Sequence, residues 1–254
     1  MLKILILAHA EDNTALRMYA LLRKKYAQET LRLVAAEYLA MAPHWIHQLD
    51  DRPASPTPLT SIILEDGCAL EIDKNTVIFN RLQHAAMPHF YAADPSDHRY
   101  AEMEMYALWL SWLHSLGDQV INPPSPRFLA GAGFSRIEWI ANAIQVGVPV
   151  VSFELDSRLE AHTLEQVESL SIFAAGESIL FESSERDLSS LEENAISATA
   201  SALQRYSSCP ILRISFSYEN EAWHFNHADP IPEAKTDQQI QSLIRFFEAK
   251  AGLP

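Results

Sequence analysis

Hydrophobic residues at the start of the chain alternate between strand-like runs and a helical spacing. Lys3–Ala8 is a continuous apolar run, which predicts a strand buried on both faces of a parallel sheet. Leu16–Leu22 has apolar residues at helical spacing, and Asp12 or Asn13 can cap this helix. Leu31–Ala36 predicts a second strand. This β-α-β order favours a Rossmann-like beginning, in which ligands collect at the carboxyl ends of the strands.

The following segments predict a hairpin, another buried strand and a long helix. The turn signal Asp66-Gly67 between apolar flanks indicates a hairpin over Ser61–Ile72. Thr76–Asn80 predicts a further buried strand, which ends at Arg81. The helix predicted over Asp97–Leu116 is apolar almost all round, so we expect it to be buried on several sides. Its apolar residues are Tyr100, Met103, Ala107, Leu110 and Leu113 on one face, and Trp109 and Trp112 on another.

Capping residues and apolar runs organise the second half of the chain. Capping boxes that begin at Ser135, Ser189 and Thr236 predict three helices. The other predicted elements are strands at Gln119–Asn122 and Val148–Leu155, a helix at 158–170, two short strands within Ser171–Phe181, and a hairpin of Ile211–Tyr218 and Ala222–Asn226. Together these elements predict an α/β fold.

Charge and composition restrict the partners. The chain of 254 residues has 33 acidic and 19 basic residues, which gives a formal charge of −14. This charge argues against nucleic acid as a partner, because phosphate backbones are bound through Lys and Arg. No apolar run approaches the ~20 residues of a membrane span, and Leu2–Ala8 is too short for a signal peptide. Cys68 and Cys209 have no metal-ligand spacing. We therefore expect a soluble, cytoplasmic protein without a membrane partner.

Several short segments occur in a distinctive order. They are a strand ending in Arg81, Pro88-His89, a helix with Tyr100 and Glu104, Val120–Pro124, a capped helix closing at Gly147–Pro149, and the C-terminal segments Ile214–Phe216, Trp223–Asn226 and Pro230–Pro232. This order resembles RimK-like ligases, and in particular the branch that builds microviridin-type (graspetide) peptide cross-links. The resemblance implies a Rossmann-like pre-ATP-grasp domain at residues 1–125. A reduced, truncated ATP-grasp-like α+β domain would follow at residues 126–254.

The resemblance also implies groups that this chain does not supply. Such ligases hold the phosphates of ATP with lysines and a glycine-rich loop, and hold Mg²⁺ with carboxylates and an asparagine. No lysine occurs between Lys74 and Lys235, and the chain has only seven glycines. The positions implied for the magnesium ligands are Ser215, His224 and Asn226, and only Asn226 keeps the residue of the family. We therefore expect no binding of ATP and Mg²⁺.

Three arginines are candidate ligand-binding residues. Arg81, Arg99 and Arg127 lie at a strand end, near a helix start and in a long loop, which can meet at one edge of a parallel sheet. A guanidinium binds a carboxylate or a phosphate through paired hydrogen bonds. Scattered surface ion pairs are the alternative interpretation of these three residues. Asn226 is added to this group because of the resemblance.

The histidines do not predict a metal site. On a strand, His224 and Asn226 share one face and His227 points to the other, so the two histidines would meet only at a bend. His44 and His47 have a spacing of three residues, which favours a surface helix. No catalytic residue can be assigned from the sequence.

Three functions remain open. The leading hypothesis is a non-catalytic or repurposed relative of a peptide ligase that binds a peptide or a small acidic ligand, together with a partner protein or as a homo-oligomer. The second is an ATP-dependent carboxylate–amine ligase with an arginine-based nucleotide site. The third is a structural or dimerisation module that uses the apolar surface at Trp109 and Trp112.

Overall fold

The computed structural model describes residues 1–49, 59–90, 92–152, 168–184 and 187–254. Two compact units are found. Unit 1 comprises Met1–Gly133 together with Glu233–Pro254, and unit 2 comprises Phe134–Pro232. The domain boundary between residues 125 and 126 stays a prediction, whereas in the structure the last segment of the chain belongs with the first.

Unit 1 contains a parallel sheet, a small antiparallel sheet and four helices among its described residues. Its elements are β1 (Ile4–Ala8), α1 (Asn13–Leu22), β2 (Leu31–Ala35), α2 (Ala36–Ala40), β3 (His44–Gln48), β4 (Leu59–Ile63), β5 (Val77–Asn80), α3 (Pro95–Ser115), β6 (Val120–Ile121) and α6 (Asp237–Ala251), with short 3₁₀ turns at Pro88–Phe90 and Gly117–Gln119. The parallel sheet has the order β2-β1-β5-β6. All five residues of β1 are buried, as expected for a strand covered on both faces.

Unit 2 contains an antiparallel sheet and two helices among its described residues. Its elements are α4 (Arg136–Gln145), β7 (Ser169–Ala175), β8 (Ser178–Ser184), α5 (Ser190–Ser207), β9 (Ile211–Glu219) and β10 (Ala222–Asp229), and the strand order is β10-β9-β7-β8. Trp139 of α4 and Phe225 of β10 are fully buried, with ring centroids 6.4 Å apart. Large aromatic side chains such as these supply much of the apolar area that a small core buries.

Two sequence predictions for unit 2 fall largely on residues outside the described part of the chain. The helix predicted at 158–170 lies there up to residue 167, and Ser169 and Leu170 belong to β7 instead. The strand predicted at Val148–Leu155 is described only to residue 152. Within it, Val150 forms an isolated parallel bridge with Phe225.

Helix α6 ends the described chain and packs in unit 1. The ring of Phe247 lies 4.7 Å from that of Phe79 in β5. Lys25 and Tyr26, which follow α1, donate to Oε1 of the buried Glu248 at 2.9 and 3.0 Å. The core of unit 1 therefore joins residues from both ends of the sequence.

Helix α3 corrects the prediction of burial on several sides for its first half only. Trp109 and Trp112 are buried, and they pack at 6.2 and 5.2 Å from the ring of Trp45 in β3. Tyr100 and Met103 are 68% and 66% exposed. The prediction holds for the second half of the helix, where Leu113 is also buried and Tyr106, Leu108 and Leu110 pack against the core. It fails for the first half, because Tyr100, Met103 and Ala107 of the predicted apolar face are exposed there. Trp109 and Trp112 are thus unavailable to a partner, which corrects the hypothesis of a dimerisation surface formed by these tryptophans.

The predicted surface helix at His44 and His47 is wrong. Both residues lie in strand β3, which pairs antiparallel with β4. His47 is hydrogen-bonded to Thr60 Oγ1 at 2.8 Å and to Ser111 Oγ at 3.0 Å, and desolvation lowers its pKa. The spacing of three residues was compatible with a helix, but pairing with a distant strand decided the conformation.

No helix in the described part of the chain has the length and apolar content that crossing a membrane requires.

Replacing Trp109 or Trp112 by Ala should lower the free energy of unfolding by about 3–5 kcal/mol, because a fully buried aromatic side chain leaves a large cavity. Urea titration followed by circular dichroism measures this change. The matched control is Tyr100→Ala on the same helix, for which we expect a change within about 0.5 kcal/mol. Equal losses from all three variants would contradict the assignment of the buried side of α3.

Candidate functional site

A buried ion pair joins the carboxyl ends of β1 and β5. Arg81, which directly follows β5, donates from Nε to Asp12 Oδ2 at 2.7 Å. Only 6% and 7% of the two side chains are exposed. The second oxygen, Asp12 Oδ1, accepts the backbone N–H of Ala15 at 2.9 Å and so caps helix α1. The charge of Arg81 is therefore matched inside the protein, and an anionic ligand at this edge would compete with Asp12.

A histidine is held in one orientation at the same edge of the sheet. His9 Nδ1 lies 3.3 Å from Glu37 Oε1, and His9 Nε2 lies 3.3 Å from the backbone nitrogen of Gln83. Both contacts are hydrogen bonds only if His9 is neutral and carries its proton on Nδ1. Burial opposes ionisation of Glu37, but hydrogen bonds from its own backbone, from His9 and from Ala10 outweigh this effect and lower its pKa.

A second histidine stacks on the first. The ring of His84 lies 4.1 Å from that of His9, at an interplanar angle of 21°. Desolvation and the neighbouring His9 lower the pKa of His84, although Glu37 and Glu102 act in the opposite direction. This cluster of two imidazoles and a carboxylate was not predicted as a site. His9 had only one weak signal, its position immediately after a buried strand.

The other predicted arginines lie on different elements. Arg99 is exposed near the start of α3, beside Tyr100 and Met103. Arg127 is exposed in a turn that is closed by reciprocal backbone hydrogen bonds between Ser125 and Phe128. The ligand-binding roles of Arg81, Arg99 and Arg127 stay predictions.

In unit 2, Asn226 is engaged by an arginine. Arg136, the first residue of α4, donates from Nε and Nη2 to Asn226 Oδ1 at 3.0 and 2.5 Å. The amide nitrogen of Asn226 donates to Ser217 Oγ at 3.1 Å. The oxygen and the nitrogen of the Asn226 carboxamide therefore both form hydrogen bonds. The oxygen, which the resemblance implies as a magnesium ligand, lies against the guanidinium of Arg136.

A bulge in β10 alters which side chains share a face. Phe225 pairs with Phe216 and His227 pairs with Ser215, so Asn226 is an extra residue in the strand. Phe225 and Ala228 are buried, whereas the two residues between them are not, which places Asn226 and His227 on the same side. The expectation that His227 points away from Asn226 is therefore wrong. Regular alternation holds only for a strand without a bulge.

Desolvation lowers the pKa of His227. Asp229 opposes this effect, and Arg136 adds to it.

The positions implied for magnesium do not fit that ion. Ser215 lies 3.4 Å from Ser171, and His224 contacts the carbonyl of Ala222. Mg²⁺ prefers several carboxylate or water oxygens in an octahedral array. In the described part of the chain, no three His, Cys, Asp or Glu side chains are grouped so that they could hold a metal ion.

A cavity of about 770 Å³ opens beside β2 in unit 1. Arg32 is the one basic side chain among its described lining residues, and 18% of this side chain is exposed. Within the part of the chain that the structure describes, its guanidinium has only long contacts, 3.3 Å to Asp66 Oδ2 and 3.4 Å to the carbonyl of Ala69. Such distances are longer than those of strong charge-assisted hydrogen bonds. The remaining lining includes the apolar residues Leu2, Ile62, Leu70 and Ile72, the hydroxyls of Thr60 and Ser61, and the acidic residues Glu29, Glu71 and Asp73.

Solved structures identify the class of fold. The macrocyclase MdnC from Microcystis aeruginosa MRC, bound with precursor peptide MdnA, matches with a TM-score of 0.67 and 12% identity over 97% of this chain and 99% of that one. A RiPP-associated ATP-grasp ligase from Chryseobacterium gregarium, in complex with ADP and a leader and core peptide, matches with a TM-score of 0.71 and 12% identity over 98% and 97%. D-Alanine-D-alanine ligase from Helicobacter pylori matches with a TM-score of 0.51 and 10% identity over 100% and 99%.

The protein thus has the fold of ATP-grasp ligases, and the α/β fold class predicted from the sequence is confirmed. In sequence, no protein-family model and no curated protein matches the chain.

Asp12→Ala should lower the free energy of unfolding by about 3–5 kcal/mol, because it leaves the guanidinium of Arg81 buried without its carboxylate. Asp12→Ser retains a capping oxygen and separates the loss of the cap, worth about 1 kcal/mol, from the loss of the ion pair. The double variant Asp12→Ser with Arg81→Met should be less destabilised than the sum of the two single variants. Additive losses in urea titration would show that the two side chains do not interact.

Proposed function

We propose that this protein is a non-catalytic or repurposed relative of ATP-grasp peptide ligases that binds a peptide or a small acidic ligand, together with a partner protein. The contact between Arg136 and Asn226 carries this proposal. The resemblance implies that Asn226 is a magnesium ligand. In this protein the guanidinium of Arg136 lies against Asn226 instead.

The first step of the argument is electrostatic. Asn226 Oδ1 already accepts two N–H groups of one guanidinium, so Mg²⁺ at the same oxygen would bring two positive groups together at short distance. Carboxylates that could offset this repulsion are replaced at the implied positions by Ser215 and His224. The sequence also supplies no lysine between Lys74 and Lys235 to hold phosphates. These features together disfavour ordinary Mg·ATP chemistry.

The second step concerns the ligand. The cavity at Arg32 has a volume within the usual range for ligand sites, which is roughly 300–1,000 Å³. Arg32 could pair with one carboxylate, and the apolar lining could take side chains. The acidic residues Glu29, Glu71 and Asp73 would repel a small anion with several charges. A peptide segment with a single carboxylate suits this lining better. Peptides are also the ligands described for the macrocyclase MdnC, with its precursor peptide, and for the Chryseobacterium ligase, with a leader and core peptide.

The alternative is an ATP-dependent carboxylate–amine ligase with an arginine-based nucleotide site. Arg136 favours it in one respect, since this exposed cation lies in the first turn of α4. Helix N-termini and guanidinium groups both bind phosphate. The proposal and the alternative predict opposite responses to nucleotide.

Mg·ATP at millimolar concentration should neither raise the melting temperature nor be hydrolysed. A ligand present at 100 times its Kd would stabilise the protein by about 2.7 kcal/mol, which differential scanning fluorimetry detects. ATP with excess EDTA is the control for effects that do not require magnesium. A shift that needs magnesium, and that is lost in Arg136→Gln, would establish the alternative ligase function.

Arg32→Gln should weaken peptide binding by about tenfold or more, because a hydrogen bond to a charged group contributes roughly 1.5–3 kcal/mol. Fluorescence anisotropy with a panel of short peptides that each carry one Asp or Glu measures this change, and citrate serves as the small acidic competitor. Arg245→Gln is the matched control, since Arg245 is exposed on α6 and does not line the cavity. If Arg99→Gln or Arg81→Ala abolishes binding and Arg32→Gln does not, the ligand binds at the residues predicted from the sequence. If no peptide of the panel binds, the peptide-binding proposal fails.

A further inference from the structure

A hydrogen bond at the carboxyl edge of the parallel sheet depends on a neutral histidine. His9 follows β1, and only 15% of its side chain is exposed. The backbone N–H of Gln83, in the loop after β5, donates to His9 Nε2 at 3.3 Å, and His9 Nδ1 faces Glu37 Oε1 at 3.3 Å. A ring nitrogen accepts a hydrogen bond only when it carries no proton. The contact between the two loops therefore requires the neutral form of His9.

Protonation of His9 acts differently on its two partners. A proton on Nε2 places a donor opposite the N–H of Gln83, so this hydrogen bond is lost. The carboxylate of Glu37 attracts the imidazolium and keeps His9 beside helix α2. Gln83 is exposed, so water can accept its N–H in place of His9. Acid therefore separates Gln83 from His9 without separating His9 from Glu37.

A stacked ring adds a second contact that depends on pH. The ring of His84 lies 4.1 Å from that of His9, at an interplanar angle of 21°. Two imidazolium rings at this distance repel each other. Desolvation and the neighbouring His9 lower the pKa of His84, and Glu37 and Glu102 oppose this effect. The stack is therefore stable while at most one of the two rings is charged.

The lowered pKa of His84 sets the direction of the pH dependence. When stacked on His9, His84 binds a proton less readily than it would in water, so the closed arrangement binds fewer protons than an open one. Closure is therefore favoured above the ordinary pKa of histidine, about 6.5, and is lost as the pH falls from there through the lowered value. Asp12 and Arg81 carry charge at the same edge, but they are paired with each other.

The movement that acid allows is local. Leu82 on one side, and Ala85 and Ala86 on the other, are at most 7% exposed and belong to the hydrophobic core of unit 1. Gln83 and His84 lie between them and are exposed. The buried residues on both sides therefore confine any opening to these two residues.

We propose that His9 and His84 form a pH-sensitive latch, which holds Gln83 and His84 against the end of β1 at neutral pH and releases them in acid. In sheets of this kind, ligands collect at the carboxyl ends of the strands. The latch therefore makes this edge of the sheet more accessible in acid. The proposal is independent of the ligand proposed for the cavity at Arg32.

The exchange of the Gln83 amide with water, measured by NMR on the full chain between about pH 8 and about pH 5, tests the proposal. Each rate is divided by that of an unstructured peptide at the same pH, which removes the intrinsic pH dependence of exchange. We expect the protection of Gln83 to fall by about tenfold, because one hydrogen bond is lost. The matched control is the amide of Arg81, which donates to the carbonyl of Leu7 at 2.8 Å and should keep its protection.

Two variants assign the response to the histidines. His9→Gln has no titrating ring opposite Gln83, so the protection of Gln83 should not depend on pH. His84→Phe keeps a stacked ring that cannot be charged, so the fall should be smaller than in the wild type. Circular dichroism at about pH 8 verifies that both variants are folded.

Three results would overturn the latch. The first is a protection of Gln83 that stays constant in the wild type. The second is a parallel loss of protection at Arg81, which would indicate unfolding of the sheet instead of a local opening. The third is a full response in His9→Gln. A fall in His84→Phe as large as in the wild type would overturn the contribution of the stack.

Discussion

The carboxylate of Asp12 is the group on which the arrangement of unit 1 depends. One of its oxygens begins helix α1, and the other holds Arg81 at the end of β5. The backbone N–H of Arg81 also donates to the carbonyl of Leu7 at 2.8 Å, so the pairing of β1 with β5 continues as far as the ion pair. The loop after β1 is thereby fixed, and His9 is placed beside Glu37. A ligand at Arg81 would have to compete with the carboxylate of Asp12.

Elements with strong local signals were predictable from the sequence. The capping boxes at Ser135, Ser189 and Thr236 are present with both reciprocal hydrogen bonds, because their donors and acceptors lie within one turn. The strand at β1 was predictable because a short apolar run fits a strand that is buried on both faces. The buried side of α3 and the conformation at His44 were not predictable, since tertiary contacts with distant segments decide them.

The candidate sites were less predictable, for reasons of geometry. The resemblance singled out Asn226. For Arg136, the sequence indicated only a position in the first turn of a capped helix. Its contact with Asn226 depends on how α4 packs on β10, which no local pattern encodes. Arg32 lies inside strand β2, whereas the arginines predicted from the sequence lie at a strand end, near a helix start and in a loop. The bulge at Asn226 likewise adds one residue without any distinctive sequence signal.

The return of α6 to unit 1 sets an order for folding during synthesis. Residues 134–232 are translated between the two parts of unit 1, so Phe79 lacks its partner Phe247 until α6 has been translated. At about 5–20 residues per second, that interval is on the order of ten seconds. During this time the nascent first segment exposes the apolar surface that α6 later covers. The sequence of unit 2 is contiguous. Unit 2 can therefore complete its core before unit 1 does, although most of unit 1 is translated first.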